Sequence, residues 1–311
     1  GGGAANAIAC RAILFRFESG PWLIAMFNSA IFKKLEKNDF RTLIGIEIGM
    51  RQHRWVPAEM LPSFSKLFAA EVRYRIDRLL GFNLVKKSVV PYDGYRIHFD
   101  GYDALAVGAL TLRGLSAIGD NIGVGKESVV YEGVYDGKPV ILKFHRAGYT
   151  SFKQVARQRD TGDRDHWIFI ARRAAKREYE ALGSLAELSG DSAISVPRGI
   201  DHNRHLIAMS IAPGSELSKT KVNDPDWFLD RIIEQIRKTY AAGFIHSDMS
   251  EYNVFVSPDG ATLIDWPGYV TTTHPQAEFL LERDVKNILA FFNRKYGVTR
   301  DCEEVVGYVR V

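Results

Sequence analysis

Apolar residues first fall into helical register after residue 39, where Phe40, Leu43, Ile44 and Ile48 line one face and Asn38 or Asp39 stands as the N-cap. A second short helix starts near Pro57, and a third covers 69–80 with Val72, Ile76, Leu79 and Leu80 inward, ended by Gly81. The period then changes: 84–90 and 95–99 read as strands around the turn Pro91-Tyr-Asp-Gly94. Three helices and a hairpin predict a winged helix, and a further helix over 102–115 bridges to the rest of the chain. Beyond it, 139–144 reads as a strand that includes Lys143, and 174–182 as a helix burying the stripe Tyr179, Leu182 and Leu185. Residues 205–212 form a strand leaving into a turn, and 227–241 an amphipathic helix with Phe228, Ile232, Ile236 and Tyr240 inward. Val254-Phe-Val256, the turn Pro258-Asp-Gly260 and a second apolar strand make a hairpin that delivers Asp265. A last helix over 278–296 packs through Leu280, Leu281, Val285, Ile288, Leu289 and Phe292, and no chemistry is assigned to it. The fold class is α+β.

Composition narrows this picture without changing it. The 311 residues are enough for two domains, and 46% hydrophobic residues can fill their cores. A net charge of +4 is mild, so a nucleic-acid contact must come from a local patch. One such patch is Arg73, Arg75 and Arg78 on the third helix, with Lys86 and Lys87 at the start of the wing. The same cations, offset by Glu71 and Asp77, also suit a solvated surface on a protein-docking module. Cys10 and Cys302 lie far apart without metal-ligand spacing, which argues for a reducing compartment, best the cytoplasm. No run of 18 uncharged apolar residues marks a membrane span, so no membrane partner is expected. Residues 1–30 are read as an uninformative extension, with Met26 as the expected natural start.

The chemistry gathers around His246-Ser-Asp248 and Asn253, followed on the next strand by Asp265-Trp-Pro267. Phosphoryl transfer needs a carboxylate at the incoming oxygen and hard oxygen ligands for magnesium, and Asp248, Asn253 and Asp265 supply both. The spacing Asp-x4-Asn matches the catalytic loop of protein kinases, and Asp265 stands where kinases carry the aspartate of D-F-G. Upstream, Gly123-Val-Gly125-Lys126-Glu-Ser128 resembles a kinase glycine-rich loop in which Ser128 replaces the third glycine. It is not a Walker A loop, because Glu127 follows Lys126 where Ser or Thr is required. Lys143 takes the position of the strand lysine that pairs with ATP phosphates. Its partner is expected on the following helix: Glu178, which shares a small-residue edge with Ala174 and Ala175, with Glu180 as the competing choice. The strand 205–212 is the place for an interlobe hinge, where adenine would meet backbone groups near Ser210 and Ala212 with Met209 behind it.

These stretches, with Lys143-Phe-His-Arg, Thr150-Ser-Phe-Lys and Arg159-Asp, together resemble the RIO family of atypical protein kinases, and the preceding winged helix resembles its Rio-two type subfamily. The resemblance covers about 37–296. It implies a winged helix-turn-helix domain followed by a small two-lobed protein-kinase-like fold without the activation segment of ordinary kinases. The division is then an extension over 1–30, a winged-helix domain with linker helix over 31–115, and a kinase domain over 116–311, with N-lobe 116–209 and C-lobe 213–311. The resemblance further implies an ATP- and Mg2+-dependent serine/threonine kinase or ATPase, with Mn2+ as the alternative ion, acting in maturation of the small ribosomal subunit. Its partners would be pre-ribosomal RNA and ribosomal proteins. Carried over, Lys143 contacts phosphates with Glu178 as ion-pair partner and Gly123, Gly125, Lys126 and Ser128 form the loop. Asp248 is the catalytic aspartate, and Asn253 and Asp265 hold the metal, Asp265 being also a candidate acyl-phosphate site. Ser247 stands where the family has glycine, and its small size predicts little consequence. Residues 149–165 would be a loop over the nucleotide, with Thr150 or Ser151 as autophosphorylation site. The short stretch after Tyr296 points to an archaeal member. Three other readings stay open: a nucleotide-switched RNA-binding assembly factor with little catalysis, a small-molecule phosphotransferase of the aminoglycoside-kinase kind, and a DNA-binding regulator.

Overall fold

A computed structural model describes residues 27–125, 127–146, 166–187 and 194–311. Met26, Cys10, Lys126, Thr150 and Ser151 lie outside these residues, so the expectations placed on them are not addressed by it.

The N-terminal unit contains α1 (Ser29–Phe32), α2 (Lys37–Gly49), β1 (Val56–Pro57), α3 (Leu61–Ser65), α4 (Ala69–Gly81), β2 (Val85–Ser88), β3 (Gly94–Ile97) and α5 (Phe99–Thr111). A short 3-10 turn (Ala58–Met60) separates β1 from α3. The strands form an antiparallel sheet in the order β1-β3-β2. The expected hairpin is therefore three-stranded, its third member too short to show an alternating pattern. Leu43, Ile46, Val72, Ile76, Leu79, Leu84 and Ile97 close one core between helices and sheet.

Three local expectations need correction. The N-cap of α2 is Glu36, not Asn38 or Asp39. Asp39 is fully buried one turn in, and its carboxylate accepts the Glu36 N–H at 2.8 Å. Gly81 is the last helical residue of α4, and the left-handed turn falls on Asn83, at φ 57°. The bridging helix α5 begins at Phe99 and ends at Thr111, which frees Leu115 to open a strand. It is apolar around most of its circumference because it lies between the winged helix and the sheet of the next domain.

That sheet is five-stranded and antiparallel in the order β4-β5-β6-β8-β7, from β4 (Leu115–Val124), β5 (Ser128–Tyr135), β6 (Lys138–His145), β7 (Gly199–Asn203) and β8 (Leu206–Met209). Helix α6 (His166–Glu187) packs on it through Ala175, Ala181, Leu182 and Leu185. The chain then enters a mostly helical lobe: β9 (Ser215–Glu216), α7 (Pro225–Ala241), β10 (Phe244–Ile245), β11 (Val254–Ser257), β12 (Gly260–Leu263), β13 (Val270–Thr271), α8 (Ala277–Tyr296) and α9 (Cys302–Arg310). Asp224 caps α7 by accepting the Trp227 N–H at 3.1 Å, and Leu229, Ile232, Ile233 and Ile236 fill the core beneath it. Helix α9 was not expected. Nine residues interrupted by Gly307 carry a weak pattern, yet Asp301 caps them and Val305, Val306 and Val309 pack against α7 and α8. Among the described residues no helix is long and apolar enough to cross a membrane.

Candidate active site

Strand β6 carries Lys143 on the face turned toward α6. Its ammonium is 2.8 Å from Glu178 Oε1 and 2.5 Å from Asp265 Oδ1, so three elements far apart in the chain meet at one nitrogen. Glu178 is only 1% exposed, whereas Glu180 points outward and pairs with Lys176, so the geometry selects Glu178. Burial alone would lower the Lys143 pKa, but Asp265 and Glu178 outweigh it and hold the ammonium above its ordinary range. Burial pushes the Glu178 carboxyl up, yet Lys143 and His145 hold it down to about 2. His145 Nε2 is 2.8 Å from Glu178 Oε2 but off the axis of a hydrogen bond, so this contact adds charge proximity more than direction. Glu178 Oε1 also accepts the Trp266 N–H at 3.1 Å, tying α6 to the backbone beside Asp265.

Cross-strand register places Ser128 on the same face. Ser128 pairs with His145 and Val130 with Lys143, and residues two apart on a strand share a face. Gly123 sits near the end of β4 and Gly125 closes the turn through its N–H to Ser128 O at 2.8 Å. On the other side of β6, Met209 ends β8, buried against α6 and the helical lobe. Ser210 departs from expectation in part. Its N–H donates to Arg198 O and its hydroxyl accepts the Arg198 N–H, each at 2.9 Å, so its own N–H is not free for a base.

The loop between β10 and β11 is folded back on itself. Asn253 Nδ2 donates to the Asp248 carbonyl at 2.8 Å, and Ile264 N–H to the Asn253 carbonyl at 3.0 Å. That use of the amide nitrogen leaves Asn253 Oδ1 available as an oxygen ligand. His246 is buried against Trp266, and because Ile264 O can only accept, the 2.8 Å contact fixes the proton on Nε2. Asp248 itself is exposed to solvent.

The 278–296 helix, expected to pack and to carry no chemistry, also supports the catalytic loop. Asp284 of α8 accepts the N–H groups of Ser247 (2.7 Å) and Met249 (3.0 Å), flanking Asp248 on both sides. Asn287 donates to Met249 O at 3.0 Å and Arg283 to Ser247 O. Burial raises the Asp284 pKa, with the two N–H donors opposing it. A carboxylate inside the stripe of Leu281, Val285 and Ile288 was the available signal. Ser247 is also more constrained than its size suggested: it holds φ 65°, a left-handed conformation that disfavours any residue but glycine, and its hydroxyl donates to Gly268 O at 2.6 Å.

Two of the expected nucleic-acid contacts face the wrong way. Arg75 is buried and pairs with Glu36 (2.8 Å), Asp39 (3.4 Å) and Glu71 (2.8 Å), while Arg78 pairs with Asp39 at 3.1 Å. Arg73 remains exposed, Lys87 pairs with Asp93 at the surface, and Lys86 lies opposite Arg96 in the sheet.

A five-stranded sheet with a lysine bound to a helix glutamate, joined by a strand to a helical lobe bearing Asp248, Asn253 and Asp265, defines a protein-kinase-like fold. The family comparison agrees: the model of the RIO domain matches residues 129–305 and that of the Rio2 N-terminal region matches 32–113. A RIO-type serine/threonine-protein kinase Rio2 of Methanocaldococcus jannaschii is 38% identical over 82% of this chain and 96% of its own length. The serine/threonine-protein kinase rio2 of Schizosaccharomyces pombe is 36% identical over 88% of this chain and 81% of its own. Among solved structures, the Rio2 kinase-ADP/Mg2+-phosphoaspartate complex of Chaetomium thermophilum superimposes with a TM-score of 0.79, at 27% identity, over 92% of this chain and 90% of that one. The chain belongs to the RIO family of atypical serine/threonine protein kinases, in its Rio2 branch.

Proposed function

We propose that the protein is an ATP- and magnesium-dependent RIO kinase or ATPase that acts in maturation of the small ribosomal subunit. The observation that carries the chemistry is the junction of Lys143, Glu178 and Asp265. Lys143, fixed by Glu178, would hold the phosphates, with Gly123, Gly125, Lys126 and Ser128 enclosing them. Met209, the Ser210 carbonyl and the Ala212 backbone would receive adenine. Among the described residues no cluster of three or more His, Cys, Asp or Glu could hold a metal alone. The donors are instead Asn253 Oδ1 and the Asp265 carboxylate, hard oxygens that leave the remaining positions to phosphate and water, as magnesium prefers; Mn2+ would suit the same set. The bound ion would neutralise charge on the transferred phosphoryl group.

In the transfer step an acceptor hydroxyl oxygen bonds to the γ-phosphorus as the bond to the β-bridging oxygen breaks. ADP leaves and the hydroxyl proton passes to Asp248. The Chaetomium complex contains a phosphoaspartate, and Asp265 is the corresponding candidate here. It would attack as a carboxylate without a proton to lose, and water would then release phosphate.

The ribosomal role rests on the family. A surface compatible with RNA lies on the winged-helix sheet, where Lys86 and Arg96 are cross-strand partners and Arg96 stacks on Trp55 at 4.6 Å. With Arg73 and Lys87 these are the cations that would meet phosphates.

Single-turnover reaction with γ-labelled ATP and Mg2+, comparing wild type with Asp248→Ala and Asp265→Asn, tests the chemistry. Loss of phosphate release and protein labelling in both variants is expected, and hydroxylamine-labile label would assign an aspartyl phosphate. Wild-type protein that binds ATP but transfers nothing, even with small-subunit precursors present, would replace this reading with a nucleotide-switched assembly factor.

A further inference from the structure

The four residues after Asp265 are each held by a polar contact from another element. Trp266 N–H donates to Glu178 Oε1 at 3.1 Å, Arg177 Nε donates to Pro267 O at 3.2 Å, the Ser247 hydroxyl donates to Gly268 O at 2.6 Å, and Arg177 Nη2 donates to Tyr269 O. The Arg177 guanidinium also lies 4.7 Å from the centre of the Tyr269 ring. Consecutive residues of α6 therefore grip both the lysine of the sheet and the strand end that carries Asp265. Asp265 itself holds φ 69°, a conformation that non-glycine residues keep only where their surroundings over-determine it.

We infer that Arg177 is a positioning residue, a latch that holds 265–269 so that the Asp265 carboxylate stays on Lys143 and ready for the metal. Glu178 reaches only the Trp266 amide of this segment, through the oxygen that also serves Lys143, and the carbonyls of Pro267 and Tyr269 are held by Arg177. Arg177 adds a planar fork that spans two carbonyls, a geometry that lysine cannot duplicate. The latch makes α6 and the Asp265 segment one unit. Neither the Lys143 contact nor the metal ligand could then be withdrawn separately. Ser247 closes the same segment from the catalytic loop, so Asp248 is brought into register with it.

The inference rests on the proposed role of Asp265 as metal ligand, and its test separates the two. Amide hydrogen exchange is measured on the nucleotide-free full chain for wild type, Arg177→Met and Arg177→Lys, together with the Mg2+ concentration for half-maximal turnover and the nucleotide affinity in EDTA. Losing both carbonyl contacts should speed exchange of the Trp266 amide about tenfold and raise the Mg2+ requirement about tenfold. Exchange along α7 and the metal-free nucleotide affinity should stay unchanged, and Arg177→Lys should fall between. Unchanged Trp266 exchange, or exchange rising equally throughout the protein, overturns the latch. If Arg177→Met is destabilised throughout, the decision rests on Arg177→Lys: local loosening at 265–269 supports the latch and wild-type exchange overturns it. Asp265→Asn is the control. Full turnover in that variant defeats the metal-ligand role, whereas an inactive Asp265→Asn beside an Arg177→Met with wild-type exchange and Mg2+ dependence defeats the latch alone.

Discussion

Lys143 and Glu178 are nearly excluded from water, and the charge of each is compensated there by the other, with Asp265 adding a second carboxylate to Lys143. Lys143→Ala should therefore lose about 3–5 kcal/mol of stability by leaving the buried Glu178 carboxylate without its ammonium partner. Glu180→Ala, on the solvent side of the same helix, should change stability by less than about 0.5 kcal/mol. Urea denaturation of both variants checks the contrast, and equal effects would contradict the assignment of the pair. Reading these residues from sequence was feasible because a strand lysine after a glycine loop has few other uses. Two glutamates two positions apart point to nearly opposite sides of a helix, so the choice between them turns on which side packs on the sheet, and the packing places Glu178 inward and Glu180 in solvent.

At the scale of elements, α4 shows how an outward-looking pattern can belong to the interior. Arg75 and Arg78 lie three residues apart and read as a cationic face, but the acidic start of α2, Glu36 and Asp39, is folded against them. Arg75→Ala should destabilise the protein by about 1–3 kcal/mol through the buried Asp39 carboxylate, with no change in the salt dependence of RNA binding by the folded protein. Lys86→Ala should do the reverse: stability within about 0.5 kcal/mol of wild type, and a slope of log affinity against log salt shallower by about one. Denaturation and RNA titrations at several salt concentrations measure both. An unchanged slope for Lys86→Ala would remove the sheet face from the proposed contact.

For the whole molecule, the two domains are joined by a buried polar cluster between α5 and the sheet. Asp103 receives Arg146 through both oxygens, at 2.8 and 2.6 Å, and His205 Nε2 at 2.7 Å, while Tyr102 stacks on the His205 ring. Glu47 of α2 pairs with Arg204 in the turn between β7 and β8, at 2.5 Å, reinforcing the joint. Asp103→Ala should cost about 3–5 kcal/mol and split the thermal unfolding transition into two, which calorimetry would detect. Burial pushes the His205 imidazole down to about 4 despite the opposing pull of Asp103. The unfolded chain binds this proton near pH 6.5 and the folded chain only near 4, so stability should fall as pH drops through that window, by about 3 kcal/mol from this residue. His205→Asn should flatten that part of the stability profile, and an unaltered profile would exclude His205 as its source.

The sequence alone determined the winged helix and the identity of Lys143, Asp248, Asn253 and Asp265 as candidates, and the two-lobed α+β kinase fold followed from the resemblance of those motifs to the RIO family. Those features are local: hydrophobic period selects each element, and one short loop and the hairpin after it carry Asp248, Asn253 and Asp265 in a fixed order. Tertiary structure decided which glutamate meets Lys143, which arginines turn inward, and that Asp284 and Arg177 support the loops of the site. It also decided how the domains join. Partners such as Lys143 and Glu178, 35 positions apart, or Asp103 and His205, 102 apart, leave no local pattern. A buried charge shows its purpose only when the fold brings its counter-charge within hydrogen-bond distance and removes the water between them.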